Sequence, residues 1–228
     1  MDHHEKHFTG SETVRDIVIG MSDGLTVPFA LTAGLSGAVN SNGIVITAGI
    51  AEIIAGSIAM GLGGYLAGKT EYDHYFAELK REYDEVESVP EKEKREVEEV
   101  LEEYGISEHI KRSFVNELAL NKDKWVSFMM KFELGLEEPA KNRARNSALT
   151  IAFAYVVGGL IPLSSYFFTA KPLQGLYGSI GITMAALLIF GYFKSKATDQ
   201  DPVWGAVKTT FIGALAAAAA YGIARLVS

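Results

Sequence analysis

The chain has 228 residues, 48% of them hydrophobic, a formal net charge of −7 and a mean hydropathy of +0.14. It is too apolar for an ordinary charged soluble domain and too charged for a chain buried wholly in lipid, so two compartments in one polypeptide are expected. The negative balance argues against nucleic acid as a partner, because phosphate binding needs a basic surface. Without cysteine, disulfides and thiolate metal sites are impossible, and any metal must be held by oxygen, imidazole or thioether.

The chain opens on a polar tail, residues 1–12, whose "MDHHEKHFTG" lacks the basic-then-apolar order of a cleaved signal peptide. Five apolar runs follow: roughly Val14 to Gly37, Ile44 to Ala67, Ser147 to Phe168, Leu173 to Phe193 and Val203 to Val227. Each reaches the ~20 residues a helix needs to cross a bilayer. The reading is therefore an all-α polytopic membrane protein with five transmembrane helices, two over residues 13–70 and three over 146–228. Between them, Glu71 to Arg145 holds 20 of the 28 acidic and 13 of the 21 basic residues. This segment, 71–145, is read as a cytosolic helical insert.

Loop charge sets the orientation. "KNRARN" precedes the third run and "KSKA" follows the fourth, whereas "VNSNG" between the first two is uncharged. By the positive-inside rule the insert and the N-terminus face the cytosol and the C-terminus lies on the far side.

From Ile44 to Val89 there is no proline, and strong helix formers carry the second span into "TEYDHYFAELKREYDEVE". One long helix is expected, continuing about 30 Å past the bilayer at ~1.5 Å per residue. Pro90 starts the next helix at its first-turn position and Gly105 closes it. Ser107 is expected to cap a second, and a third is expected to run from "KDKW" through "FMMKFELGLEEP" to Pro139.

Several constellations are candidates for chemistry. Asp23 lies in the first span, where an acid costs at least ~2.5 to 3.5 kcal/mol on insertion scales, and such a group is a functional hypothesis by default. Pro28 removes a helical hydrogen bond and frees the carbonyl of Gly24, so polar backbone beside Asp23 is expected to form an ion site. A neutral Asp bonded inside the bundle, with Pro28 as a simple kink, is the alternative. In the second span Glu52, Gly56, Met60, Gly64 and Gly68 follow at i+4 steps and are read as one stripe. A carboxylate with a thioether suits a transition metal better than magnesium or calcium, although Met60 alone also reads as packing. In the insert, Glu82 and Glu85, then Glu93 and Glu96, are i, i+3 pairs, and Met129, Met130 and Glu133 cluster on the third helix. Converging pairs can hold a cation; a solvated charged face fits the same spacing. Glu71 and His74 give one Glu-x-x-His, where a carboxylate-bridged di-iron site needs two.

"DIVIGMSDGLTVPFALTAGLSG", "AEIIAGSIAMGLGGYLAGKTEYDHY" and the Glu-rich insert with "FMMKFELGLEEP" resemble the vacuolar iron transporter family, most closely its plant members, from about Thr13 to the C-terminus. The resemblance implies a homodimer in the vacuolar membrane that exchanges cytosolic iron(II) for vacuolar protons, without a prosthetic group. It implies a translocation path at the dimer interface, with Asp23 and Met60 binding metal and Glu52 in the path. It also implies a cytosolic metal-binding domain with ligands Glu82, Glu85, Glu93, Glu96, Met129, Met130 and Glu133. Manganese is a second candidate substrate. A metal sensor or buffer anchored in the membrane and a di-iron oxidase are the rival readings.

Overall fold

Apolar runs without a polar face must be covered by lipid or by one another, and helices do this while pairing their own backbone. The computed structural model describes residues 11–227, so the polar tail up to residue 10 lies outside the described residues. Its helices are α1 Ser11–Ala38, α2 Asn42–Ser88, α3 Pro90–Glu103, α4 Glu108–Leu118, α5 Lys122–Phe128, α6 Arg143–Ser164, α7 Pro172–Ala197 and α8 Pro202–Val227. Five of them, α1, α2, α6, α7 and α8, are long and apolar enough to cross a membrane. There is no strand among the described residues. The protein is all-α and polytopic, and α2 is the single long helix the absence of proline predicts.

The chain divides into two compact units, residues up to 66 with 144 onward, and 67–143. In the first, α1 packs on α7 and α8 around Phe29, Ala33, Leu176 and Ala217. Val45, Ile53, Leu163 and Tyr166 bury a second core between α2, α6 and the 3₁₀ turn Ser165–Phe168. Tyr166 is fully buried, and its hydroxyl meets Ser36 Oγ at 2.9 Å. Asn42 Nδ2 donates to the carbonyls of Tyr166 and Thr169, at 2.7 and 2.8 Å, fixing the start of α2.

Glycine sets how closely α6 approaches α1. A Cβ on Gly24 would stand 2.9 Å from Tyr155 Cα, and one on Gly158 would stand 3.0 Å from the Gly24 carbonyl carbon. Main chain therefore meets main chain, the contact small residues permit between membrane helices. Gly158→Val should cost about 1–3 kcal/mol, the range for overpacking. In detergent its thermal unfolding should begin several degrees below the parent; an unchanged midpoint would show that the helices can part freely.

Pro28 differs from expectation. The helix α1 runs through it without a break, and its ring is buried 3.1 Å from where a Gly159 Cβ would lie. The room beside it is taken by α6, so the proline seats a neighbouring helix instead of opening α1.

In the second unit α2 stops at Ser88, and Pro90 takes the first position of α3, where its missing N–H costs nothing. Gly105 then supplies the left-handed turn, at φ 72°. Ser107 occupies the N-cap position of α4, but its side chain makes no capping bond. Asn121 does cap α5, its Oδ1 accepting from Lys124 N at 3.0 Å.

The third helix of this unit is shorter than expected. α5 ends at Phe128, a π turn covers Met129–Glu133, and the chain leaves helix before Pro139. Gly135, at φ 64°, terminates it, with Leu136 N donating to Met130 O at 2.7 Å in the pattern of a glycine C-cap. Val86, Val97, Val115, Trp125, Val126, Met129 and Met130 form the core of this unit.

Candidate metal-binding sites

The second unit gathers its acids at one place. Glu82 on α2 and Glu93 on α3 are 2% and 0% exposed, and oxygens of Glu82, Glu85 and Glu93 lie within 4.8 Å of one another. Both oxygens of Glu93 and Oε2 of Glu82 are buried and accept no hydrogen bond. A buried carboxylate without a partner is costly, so it either holds a proton or holds a cation.

Two cations stand at the rim. Arg81 Nη2 is 3.7 Å from Glu82 and Arg81 Nε is 3.9 Å from Glu85. Lys92 Nζ is 2.7 Å from Glu96 and 3.6 Å from Glu93. Both side chains are about half exposed, which weakens their hold on the buried acids. Burial first, then the charges of Glu96 and Glu82, push Glu93 from 4.5 up to about 7. Desolvation and the charges of Glu96 and Glu93 raise Glu133 as well, which places it in the same field. Met129 and Met130 are buried in the core that also holds Val86 and Val97, which follow the two Glu pairs on α2 and α3. Of the seven residues named from sequence, Glu82, Glu85 and Glu93 converge, Glu96 and Glu133 share their field, and Met129 and Met130 are buried in the hydrophobic core of the same unit. Its donor set, carboxylate oxygens with thioethers nearby, suits a divalent transition metal.

The first unit holds the intramembrane acids. Glu52 on α2 receives the hydroxyl of Tyr155 on α6 at Oε1, while its Oε2 is buried with no hydrogen-bond partner. Tyr155 is a hub that sequence reading passed over. Its backbone abuts Gly24, and its ring edge lies 2.7 Å from where a Gly56 Cβ would stand. Asp23, half-buried, adjoins this contact through Gly24. An aromatic in "IAFAYVVGG" reads as packing, and nothing along the sequence tells that its hydroxyl reaches a carboxylate 103 residues away.

The i+4 row of α2 is not a straight stripe. At 3.6 residues per turn such a row winds by about 120° between Glu52 and Gly64. Gly56 meets Tyr155, Gly64 approaches Ser147 and Ile151, and a Cβ on Gly61, off the row, would stand 3.1 Å from Ala148 O. Met60, between Gly56 and Gly64 in angle, is half-buried, neither sealed in the core nor fully exposed. Around Glu71 and His74, Arg143 Nε stands 4.0 Å from Glu71, and His74 Nδ1 stands 3.8 Å from Glu78.

Five membrane-length helices with acids inside the spans, and a helical unit with an unpaired carboxylate cluster, define a polytopic membrane protein built to handle cations. The chain matches the VIT family over residues 14–225 and belongs to that family. It is 55% identical over 226 residues to "Vacuolar iron transporter 1" of Tulipa gesneriana, covering 99% of this chain and 92% of that protein. It is 56% identical over 228 residues to "Vacuolar iron transporter 1" of Arabidopsis thaliana, covering 100% and 91%. To "Protein CCC1" of Saccharomyces cerevisiae it is 41% identical over 225 residues, covering 93% of this chain and 68% of that protein.

Proposed function

We propose that this chain is a proton-coupled transporter that moves cytosolic iron(II), with manganese as a second substrate, into the vacuole. It acts as a homodimer in the vacuolar membrane, with the N-terminus and residues 71–145 cytosolic and the C-terminus lumenal. The names of the relatives supply the metal and the compartment. The observation that carries the reading is Glu52, an acid within a span whose second oxygen is buried and unpartnered. A sensor or buffer needs only the cluster of the second unit, and would gain nothing from a costly acid inside the membrane. A di-iron oxidase is disfavoured because Glu71 and His74 give one Glu-x-x-His where such a site needs two.

In this mechanism Glu82, Glu85, Glu93, Glu96 and Glu133, with Met129 and Met130, capture iron(II) as substrate. Asp23, Glu52 and Met60, contributed twice by the dimer, carry it through the membrane. Carboxylates must lose protons to bind metal, so capture releases protons and an acidic lumen expels the ion. Tyr155 holds the Glu52 carboxylate in place while leaving its buried second oxygen without a hydrogen-bond partner, as a ligand for the ion.

Proteoliposomes loaded with a metal-sensitive dye test the proposal. With an acidic interior, iron(II) and manganese should enter and calcium should not, and collapsing the pH gradient should stop entry. Metal binding without flux would leave a sensor; oxygen consumption with iron(II) would leave an oxidase.

A further inference from the structure

On the side of the first unit away from Tyr155, α1, α7 and α8 enclose an apolar groove of about 450 Å³. Phe29, Ala33, Leu176, Ile180, Met184 and Ala217 line it. Along α7 it extends from Leu173 to Met184, about 16 Å at 1.5 Å per residue, or roughly half of a 30 Å hydrocarbon core. The groove is thus about as deep as one leaflet.

At the end where α1 and α8 finish and α7 begins, it runs into a second cavity of about 390 Å³ that shares Leu173 and Tyr221 with it. This cavity is polar, with Asn40, Gln174, Lys171 and Arg225 in its wall and no acid. The side chains of Tyr221 and Arg225 lie over Gly37, which has no side chain to displace them.

The two cations have no carboxylate partner among the described residues. Arg225, in the last turn of α8, offsets the negative end of a helix. Lys171 does the opposite. It occupies the N-cap position of α7, where the helix end is already positive and a cation is unfavourable unless an anion joins it. Exposed Tyr177, Phe167 and Phe168 ring this end, as aromatic residues do at the headgroup level.

We propose that the groove and cavity together bind one anionic phospholipid. Its phosphate lies between Lys171, Arg225 and the start of α7, and an acyl chain fills the groove along Phe29, Ile180 and Ala217. An apolar groove open toward the membrane and a cation at the positive end of α7 are together complemented by a ligand that is anionic at one end and aliphatic at the other. The inference does not depend on the transport reading.

The full-length protein, purified in detergent and stripped of lipid, is titrated with dioleoyl phosphatidylglycerol, dioleoyl phosphatidylcholine or glycerol 3-phosphate. Thermal unfolding and native mass spectrometry are the readouts. Phosphatidylglycerol should raise the unfolding midpoint and remain bound, with phosphatidylcholine weaker by roughly tenfold or more, as two cations near a lipid surface imply. Lys171→Gln with Arg225→Gln should erase that difference, and Ala218→Phe, which fills the groove from an exposed position, should abolish retention of both lipids. Equal retention of the two lipids by the parent, or an unchanged preference in the double variant, overturns the proposal. So does saturation by glycerol 3-phosphate at the lipid's concentration, which would mark a site for soluble anions. Cross-linking of two copies through Ala218→Cys, without lipid retained, would assign the groove to a subunit contact and overturn it as well.

Discussion

Replacing Asp23 by Ala is expected to bring iron(II) uptake driven by a pH gradient down to the level of empty liposomes, while the metal binding proposed for the second unit should stay at the parent's level. Removing the acid leaves α1 intact, because Asp23 contributes no side-chain bond to the helix and the α1–α6 contact is made by Gly24 and Gly158. On the proposed path, what would be lost is a negative ligand in a region of low dielectric, where no water replaces it. Glu52→Ala should be as severe in flux, and it also strands the Tyr155 hydroxyl that now donates to Glu52. The measurement is initial rate in proteoliposomes alongside metal bound per chain in detergent. Normal uptake by Asp23→Ala would refute the proposed path, whereas loss of both readouts would point to misfolding and call for Asp23→Asn as the gentler variant.

The second large effect concerns Glu93, and it separates stability from binding. Folding raises its carboxyl from 4.5 to about 7, so between those values the folded chain holds a proton that the unfolded chain has released. This contribution to the stability of the metal-free second unit is full below pH 4.5 and is lost as pH rises from there through about 7, because the native state must then bury a charge. Metal binding runs the other way: affinity climbs with pH up to about 7, by as much as tenfold per pH unit for each proton displaced, and levels off above it. Glu93→Met keeps similar volume and removes the buried charge. By analogy with buried ion clusters replaced by apolar residues, it should stabilise the metal-free unit by about 1–4 kcal/mol at pH 8. It should also reduce the pH dependence, leaving the part that Glu82 supplies, since burial pushes Glu82 up to about 7 as well, and weaken binding of iron(II) or manganese about a hundredfold, the loss of one charged ligand among few. Hydrogen exchange over residues 90–133 of the full chain reads the first effect, and metal titration reads the second. A variant that binds as well as the parent would remove Glu93 from the ligand set.

Much of the architecture was open to sequence reading because membrane thickness imposes a length that no other constraint mimics. The unbroken α2 was equally visible, since no proline lies between Ile44 and Val89. Local end signals were read less well. Ser107 stands at a cap position without capping, while Asn121 caps through geometry that its type alone does not announce. Sequence puts the end of the third helix of the second unit at Pro139, although Gly135 already offers the left-handed turn that stops it. The acids of the second unit could be named from spacing, but spacing does not distinguish a solvated face from a buried cluster. Only folding α3 against α2 shows that Glu82 and Glu93 lose water while Glu85 and Glu96 keep some of it. Tyr155 was beyond reach for the same reason: its meaning comes from two other helices.

The contact of Gly24 with Tyr155 and Gly158 has a mechanical corollary. Where main chains touch, no intervening side chains are available to change rotamer and let one helix slide past the other. The first and third spans are therefore coupled as a single strut, and Asp23 and the Tyr155 hydroxyl travel together whenever that strut moves. Any alternating opening toward the two compartments has to be produced at other seams, with the acid and its aromatic neighbour carried along in one rigid piece.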